Sequence, residues 1–497
     1  MRTRPGAGLL AAGLAAFCAA VGGYAGYAST HRRSDWMQPV DLRVYRFGGF
    51  IAAHAAPWYD PGSAAPLYDW PGYLNLKFTY PPFAALVFTA LTVPGLRLLE
   101  YLSVGLNIVA LVAAIWFTLG GLDRQSPDAA AQPASTLPGR SPHREHPAVA
   151  MAAVRPRWAS RRVRAGATLL IAAVAFWSEP VQRVLFLGQV ELVLMALVLW
   201  DVCQPDRRWW KGAGIGIAAG VKLVPLIFIP YLLLTRRFRQ AAIAAGVFAI
   251  TVALGFAAMP GSASRWWLGG LFARGSRTGF AGWEGNQSLL ALTARLAGSV
   301  AAGTPFWLAA AIVATVAGLA CAAVLDRAGY PLVGVLTCAL TGVLVSPISW
   351  DHHWVWVVPG LTVLGWYAVR SRGRLRWALL GLAVTIAGIF AAWPGAWLGE
   401  PRDPGGFSLG LIWLPPNTSP GTYYLRGDQP WYPEYHWRGT ALLTGNLYIL
   451  TGILLLAGLI SFAVVARRRS RRPDSHMTAS PAAAQSSTAG ATPTWIA

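Results

Sequence analysis

The chain has 497 residues, with 41 Lys and Arg against 20 Asp and Glu, which gives a formal net charge of +21. Only 12% of the residues are charged and 55% are hydrophobic, whereas a soluble domain carries about 25% charged residues. This balance excludes an ordinary water-soluble globule of this length and predicts a polytopic membrane protein. The arginines concentrate between apolar runs, as in cytoplasmic loops that face anionic lipid, so no nucleic-acid partner is needed to explain the charge.

About twelve apolar segments have the character of membrane helices, since a span needs about 20 apolar residues. The first segment is interpreted as a retained anchor, because no signal-peptide cleavage site follows it. The four cysteines are widely spaced and indicate neither a disulfide framework nor a zinc site. The long segments are 7–28, 98–119, 212–234, 239–260, 305–325, 330–347, 354–371, 376–398 and 440–466, and the shorter ones are 81–96, 165–180 and 183–200.

Arginine runs at 236–239, 371–376 and 467–472 mark the cytoplasmic side, so the C-terminus is predicted to be cytoplasmic. The loops 29–80, 261–304, 348–353 and 399–439 then fall on the extracytoplasmic side. Residues 1–472 are predicted to form one transmembrane catalytic domain, followed by a low-complexity, disordered cytoplasmic tail at 473–497.

The segment 120–164 conflicts with this topology. It is rich in Arg and Pro and indicates a disordered cytoplasmic insert, yet twelve spans would place it outside. Either the charge rule fails here or two short segments are re-entrant. The best candidates are 81–96 and 212–234, because irregular backbone at membrane depth is tolerated only beside a buried cavity.

Asp41 follows the first helix directly and is the strongest catalytic candidate. A carboxylate near the outer membrane surface could act as a general base, and Asp is also a good N-cap for a predicted amphipathic helix at 42–56. The two roles are compatible, so the sequence leaves both open.

Gln189, Glu191 and Lys222 interrupt apolar runs. Ionisable groups at such depth are costly and usually face a cavity, a partner or a ligand. For Lys222 the alternative is that the side chain extends to the membrane interface, although apolar residues on both sides weaken that interpretation.

The outer loops supply further candidates, namely Tyr80, Arg274, Asn286, His352 and His353. Outer arginines suggest an anionic ligand, while simple solvation or an interfacial aromatic belt explains the same residues equally well. Adjacent histidines do not share a helix face, so a metal site built on His352 and His353 alone is not expected. The chain has no P-loop, dinucleotide fingerprint, nucleophile elbow or HExxH motif, so no nucleotide cofactor is expected.

Six motifs in chain order resemble one family, the actinobacterial polyprenol-phosphate-mannose-dependent α-(1→2)-mannosyltransferases of the GT-C fold. They span residues 41–353. Glu191 stands where Asn is expected in that pattern, and neither the 120–164 insert nor the 399–439 loop matches a family motif. The motifs are Asp41-Leu42-Arg43-Val44-Tyr45, Phe78-Thr79-Tyr80-Pro81-Pro82, Gly188-Gln189-Val190, Val221-Lys222-Leu223-Val224-Pro225, Gly285-Asn286-Gln287-Ser288, and Ser346-Pro347-Ile348-Ser349-Trp350 with His352-His353.

The resemblance implies inverting transfer of mannose from polyprenyl phosphate mannose to a mannosylated phosphoinositide or lipomannan at the extracytoplasmic face of the cell membrane, without a metal or other cofactor. Asp41 would be the catalytic base. A transporter or flippase for a lipid-linked sugar is the alternative, although no internal repeat supports it. The remaining donor- or acceptor-binding candidates are Arg43, Tyr45, Tyr80, Gln189, Lys222, Arg274, Asn286, His352 and His353. The aromatic loop 399–439 is expected to receive the acceptor.

Overall fold

The computed structural model describes residues 6–30, 36–54, 66–69, 76–125, 160–393, 410–416, 424–426 and 429–471. Within these ranges the chain is almost entirely helical, which confirms the predicted all-α class. A single short hairpin pairs β1 (Tyr424–Arg426) antiparallel to β2 (Gln429–Trp431).

Sixteen helices of seven or more residues are numbered in chain order within the described ranges. Three shorter helices are Pro66–Asp69, Pro260–Ala263 and Gly439–Thr444. The numbered helices are α1 (Ala7–Thr30), α2 (Val40–His54), α3 (Pro82–Phe88), α4 (Leu96–Gln125), α5 (Arg161–Ala175), α6 (Glu179–Leu187), α7 (Glu191–Val202), α8 (Ala213–Val221), α9 (Phe228–Leu234), α10 (Phe238–Ala258), α11 (Leu289–Ala297), α12 (Val300–Arg327), α13 (Pro331–Val345), α14 (Val357–Arg370), α15 (Gly373–Ile389) and α16 (Leu447–Arg471).

Five of these helices, α1, α4, α10, α12 and α16, are long and apolar enough to cross a membrane. Helices α6 and α7 are long and apolar enough to cross a membrane only when taken together, and they meet at an angle of 117°. The chain therefore has several candidate membrane spans, as predicted for a multi-pass protein. The count of twelve spans stays a prediction.

Two of the predicted apolar segments are broken near their polar residues. In 212–234, helix α8 ends at Val221, Lys222 is extended at φ −145° and ψ 131°, and a 3₁₀ turn follows before α9. A break was predicted there. The break in 183–200 was not predicted: Gly188 ends α6 at φ +71°, a left-handed conformation that favours glycine.

The predicted insert is shorter than expected at both ends. Helix α4 continues to Gln125, and Ser160 caps α5 by accepting a hydrogen bond from the Val163 N–H at 3.3 Å. Residues 126–159 and the predicted tail at 473–497 lie outside the described residues.

The breaks bring polar residues together at one end of the helices. Helix α2 lies directly on the end of α3, because a Cβ at Gly49 would collide with the Phe88 carbonyl. The α6–α7 break, the end of α8 and a 3₁₀ turn at Asp351–Trp356 lie beside the first turn of α2. Polar side chains from distant parts of the sequence therefore meet at this end.

Candidate active site

Asp41 lies in the first turn of α2, which begins at Val40 rather than at the predicted residue 42. The carboxylate is therefore inside the helix and is not its N-cap. It remains near the unpaired N–H groups of the first turn, where negative charge is favoured. Asp41 is partly buried, so its oxygens are held by protein and are not simply solvated.

A chain of hydrogen bonds orients Asp41. Gln189, in the turn between α6 and α7, hydrogen-bonds to the Asp41 carboxylate. The Gln189 amide oxygen accepts from the hydroxyl of Tyr45, which lies 2.9 Å from the hydroxyl of Tyr80. Asn107 on α4 donates to the Gln189 backbone carbonyl at 3.0 Å and so holds the turn. Asp41 and Tyr45 are four residues apart on α2, so both face this chain.

Burial raises the pKa of Asp41 above the ordinary aspartate value. His352, Gln189, Lys222 and Arg183 oppose the shift, because a nearby positive charge or donor favours the carboxylate. In its ionised form, a carboxyl whose pKa is raised in this way is a stronger base than an exposed aspartate.

Lys222 provides a cation close to Asp41. Its ammonium donates to Glu191 on α7 and, at 2.9 Å, to Nε2 of His353. It also lies 5.8 Å from the centre of the Tyr80 ring. The lysine side chain is 18% exposed, so its ammonium is buried among protein partners.

His352 and His353 face one cluster. They lie in a 3₁₀ turn, and their ring centres are 4.7 Å apart. Ligand-type atoms of Glu191, His352 and His353 all lie within 4.8 Å of one another. The expectation that the two histidines alone form no metal site rested on α-helix geometry, which does not apply in this 3₁₀ turn, and it stays a prediction.

Asp351 holds His352 in one orientation. Its Oδ1 lies 3.0 Å from His352 Nδ1 and accepts the His352 backbone N–H at 2.7 Å. A carboxylate only accepts hydrogen bonds, so Nδ1 carries the hydrogen and Nε2 is available to the cluster. Although burial alone would raise it, Arg183 and His352 hold the pKa of Asp351 below its ordinary value.

Two residues that were not predicted, Arg183 and Glu179, support this orientation. Arg183 on α6 forms a 3.0 Å salt bridge with Asp351. Glu179 on the same helix contacts Asp351 and accepts hydrogen bonds from Trp413 at 3.0 Å and Tyr448 at 2.9 Å. The catalytic-end cluster, defined as Asp41, Gln189, Glu191, Lys222, His352 and His353, is thereby tied to the last helix.

Residues 78–347 match the model of glycosyltransferase family 87. The chain is 32% identical over 348 residues to a polyprenol-phosphate-mannose-dependent α-(1-2)-phosphatidylinositol mannoside mannosyltransferase of Mycobacterium tuberculosis, covering 70% of this chain and 74% of the relative. The chain belongs to glycosyltransferase family 87.

A second relative from Mycobacterium tuberculosis is named a polyprenol-phosphate-mannose-dependent α-(1-2)-phosphatidylinositol pentamannoside mannosyltransferase. This glycosyltransferase is 31% identical to it over 376 residues, covering 72% of this chain and 77% of the relative. It is 30% identical to a phosphatidylinositol mannoside mannosyltransferase of Mycolicibacterium smegmatis over 70% of this chain and 74% of that one. No solved structure matches the chain significantly. The predicted family and enzyme class are confirmed.

Asn286 makes structural contacts in this glycosyltransferase, and its role in binding substrate stays a prediction. It is fully buried, and its amide donates to the carbonyls of Ala281 at 2.8 Å and Pro347 at 3.2 Å. Its side-chain oxygen accepts the Ser349 N–H at 2.9 Å. The residue therefore joins the outer loop to the segment that carries the two histidines.

Of four other residues predicted to bind donor or acceptor, two lie behind Asp41 and two point or lie away from it. Tyr45 and Tyr80 are buried behind Asp41 and orient it, at 0% and 7% exposure. Arg43 is two residues from Asp41 on α2 and so projects from another side of the helix. Arg274 is exposed on the outer loop, and no side-chain contact joins it to the catalytic-end cluster in the described part of the chain.

The rings of the aromatic loop pack on one another and on the outer loop 261–304. Tyr432 stacks on Phe280 at 4.2 Å between ring centres, and Trp431 stacks on His436 at 5.0 Å. Trp437 is buried. Of the aromatic residues predicted to receive the acceptor, Tyr423 and the rest of 417–423 lie outside the described residues. Trp431 and Tyr432 are partly exposed and remain candidates.

Arg295 connects the outer loop 261–304 to the segment just before α16 by hydrogen bonds. It is 1% exposed and donates to the carbonyls of Gly282, Trp283, Asn286 and Gly445 at 2.6–3.1 Å. Breaking such a buried charged network costs about 3–5 kcal/mol. We expect Arg295→Met to lower the free energy of unfolding by this amount, measured as thermal unfolding in detergent.

The matched control for Arg295 is Arg372→Met, because Arg372 is exposed at the start of α15. Its unfolding temperature should stay within experimental error of the parent. Equal unfolding temperatures for the two variants would contradict the structural role of Arg295.

A cavity of about 240 Å³ lies at the opposite end of α7 and α8. Polar residues that line it include Asp201, Lys211, Arg237 and Gln240. Since α7 has 12 residues, about 18 Å of helix separates the cavity from Glu191. The cavity is therefore separate from the catalytic-end cluster.

Proposed function

We propose that this protein is an inverting mannosyltransferase that uses polyprenyl phosphate mannose. The acceptor is a mannosylated phosphoinositide or a lipomannan, and the bond formed is α-(1→2). The names of the relatives support the donor, the linkage and the phosphoinositide acceptor. The observation that supports this function most directly is that the Asp41 carboxylate, oriented by Gln189, lies beside the Lys222 ammonium and His352.

The chemistry follows from these groups. Asp41 accepts the proton of the acceptor hydroxyl while that oxygen attacks the anomeric carbon of mannose. The bond between this carbon and the phosphate oxygen breaks, and the electron pair leaves with polyprenyl phosphate. Attack from the face opposite the phosphate converts a β-linked donor into an α-linked product. Lys222 stabilises the negative charge on the leaving phosphate, and His352 adds to this only in its imidazolium form, in which Nε2 also carries a hydrogen.

We place this reaction on the extracytoplasmic face. The Arg-rich run at 236–239 lies at the other end of the helices, near the 240 Å³ cavity. Arginines favour the cytoplasmic side. The catalytic-end cluster then faces outward, where a lipid-linked donor replaces nucleotide sugars. The Arg-rich end of α16 supports a cytoplasmic C-terminus.

The direct test is transfer by the purified protein in nanodiscs. Synthetic polyprenyl β-mannosyl phosphate is supplied with phosphatidylinositol mannosides or with a lipomannan fragment. Mass spectrometry should show the gain of one or more mannoses, and NMR should show α-(1→2) bonds. Donor movement across a liposome bilayer with no transfer to any acceptor would instead support the flippase alternative.

The partly exposed rings of the outer loop give a second test. Trp431→Ala combined with Tyr432→Ala should raise the acceptor KM about 5- to 150-fold, since each aromatic stacking contact contributes about 0.5–1.5 kcal/mol and two contacts are lost. Slow hydrolysis of the donor by water should not change, because remote contacts position the acceptor and do not stabilise the leaving phosphate.

The control for this double variant is Trp209→Ala, a ring that is 79% exposed at the opposite end of the molecule. It should leave both activities unchanged. If transfer and hydrolysis by the double variant fall in parallel, the loop has a general structural role and does not bind the acceptor.

A further inference from the structure

Glu191, His352 and His353 form a donor set that resembles a metal site. One nitrogen from each histidine and one carboxylate oxygen lie within 4.8 Å of one another. Two histidines and a glutamate are a common ligand set for zinc, with ligands about 2.0–2.2 Å from the ion.

Two buried atoms in the set have no hydrogen-bond partner among the described residues. They are Nε2 of His352, a residue that is 3% exposed, and Oε2 of Glu191, which is 7% exposed. Buried polar atoms in native proteins normally have a partner, so each exception calls for an explanation such as a ligand or an ion. Both atoms can accept a hydrogen bond or bind a cation.

The ammonium of Lys222 lies among these ligands. It donates to Glu191 and to Nε2 of His353, two of the three potential ligands. A divalent ion within about 4 Å of this ammonium would be repelled by several kcal/mol at an effective dielectric of about 20. The lysine and a metal ion therefore exclude each other.

We propose that Glu191, His352 and His353 form a cation site that Lys222 occupies in place of a divalent metal. The native protein then works without a metal ion, and removal of the lysine side chain opens a site for zinc or cobalt. Lysine brings one positive charge on a flexible stem, so its third N–H remains available to a phosphate. The metal-binding half of the proposal is independent of the proposed function. The part of the proposal that concerns activity without a metal ion rests on the proposed function.

Lys222→Ala is the test variant, because it removes the ammonium and leaves room for an ion. Lys222→Met is the matched control, because it also removes the charge but fills the space. Titration of each metal-free protein with Co²⁺ should give a visible absorption band at one equivalent in the alanine variant only. One zinc per chain should bind there and raise its unfolding temperature.

A third variant tests the ligands. Adding His353→Ala to Lys222→Ala should weaken zinc binding at least tenfold and remove the cobalt band. The native protein should bind no stoichiometric zinc, and EDTA should leave its mannose transfer unchanged.

Several results would overturn the proposal. These are stoichiometric metal in the native protein, loss of native zinc together with activity in EDTA, a folded alanine variant that binds no metal, or equal zinc affinity with and without His353. The alanine variant could be unable to fold even with zinc present. The metal content of the native protein then tests the proposal, because a metal ion bound in the native protein contradicts occupancy of the site by Lys222.

Discussion

Asp41→Asn should reduce mannose transfer by about 100-fold or more while the protein remains folded. Asparagine keeps the shape of the side chain but removes the basic oxygen that accepts the acceptor proton, and general base catalysis contributes about 10²–10⁴-fold. Gln189 can still hydrogen-bond to the amide, so the Tyr45–Gln189 chain should survive. Transfer rate and thermal unfolding, measured on the same preparation, separate the two effects.

The pH dependence supplies an independent check. A base acts only when ionised, and burial raises the pKa of Asp41. The rate should therefore rise with pH, with its acidic limb above the range of an exposed aspartate, and should level off once the carboxylate is ionised. In Asp41→Asn this limb should disappear from the residual rate.

Asp206→Asn is the control for Asp41→Asn, because it makes the same exchange at a largely exposed carboxylate beside the far cavity. It should transfer mannose at nearly the parent rate. A folded Asp41→Asn protein with near-parent activity would exclude Asp41 as the base.

Much of the cluster could be predicted because its members are polar residues beside apolar runs. Asp41 follows the first helix, and Lys222 interrupts an apolar segment. Each would be costly unless it had a partner or a function. Such local signals identify single residues, and the structure then brings them together.

Glu179, Arg183 and Asp351 could not be predicted in the same way. Arg183 and Asp351 are 168 residues apart and meet only because α6 packs beside the 3₁₀ turn. In the sequence each looks like an ordinary charge at the end of an apolar run. The break at Gly188 was also missed, since one glycine in an apolar run is compatible with a continuous helix.

Asn286 shows a limit of motif-based prediction. Its place in a family motif suggested a substrate contact, whereas the structure uses its amide to join two backbone segments. A short motif records that a residue type is needed at a position, but it does not distinguish a side chain that binds substrate from one that positions the loop that does.

Lys222→Met should weaken donor binding about 10- to 100-fold, since a hydrogen bond to a charged group contributes about 1.5–3 kcal/mol. Methionine keeps the length and apolar fit but removes the cation that faces the donor phosphate. Binding of a non-hydrolysable polyprenyl phosphonate carrying mannose measures the effect without catalysis.

The contact with Glu191 complicates this experiment, because the lysine variant leaves a buried carboxylate without its cation. Lys222→Met combined with Glu191→Gln removes both charges and should recover the unfolding temperature without recovering donor affinity. Lys211→Met is the control for the exchange, since the Lys211 ammonium pairs with Asp206 at the far end of the helices. The chain has three lysines, so these two variants compare the lysine in the cluster with one outside it. If the double variant binds the phosphonate as tightly as the parent, the phosphate is held by other groups, and Lys222 serves only to balance Glu191.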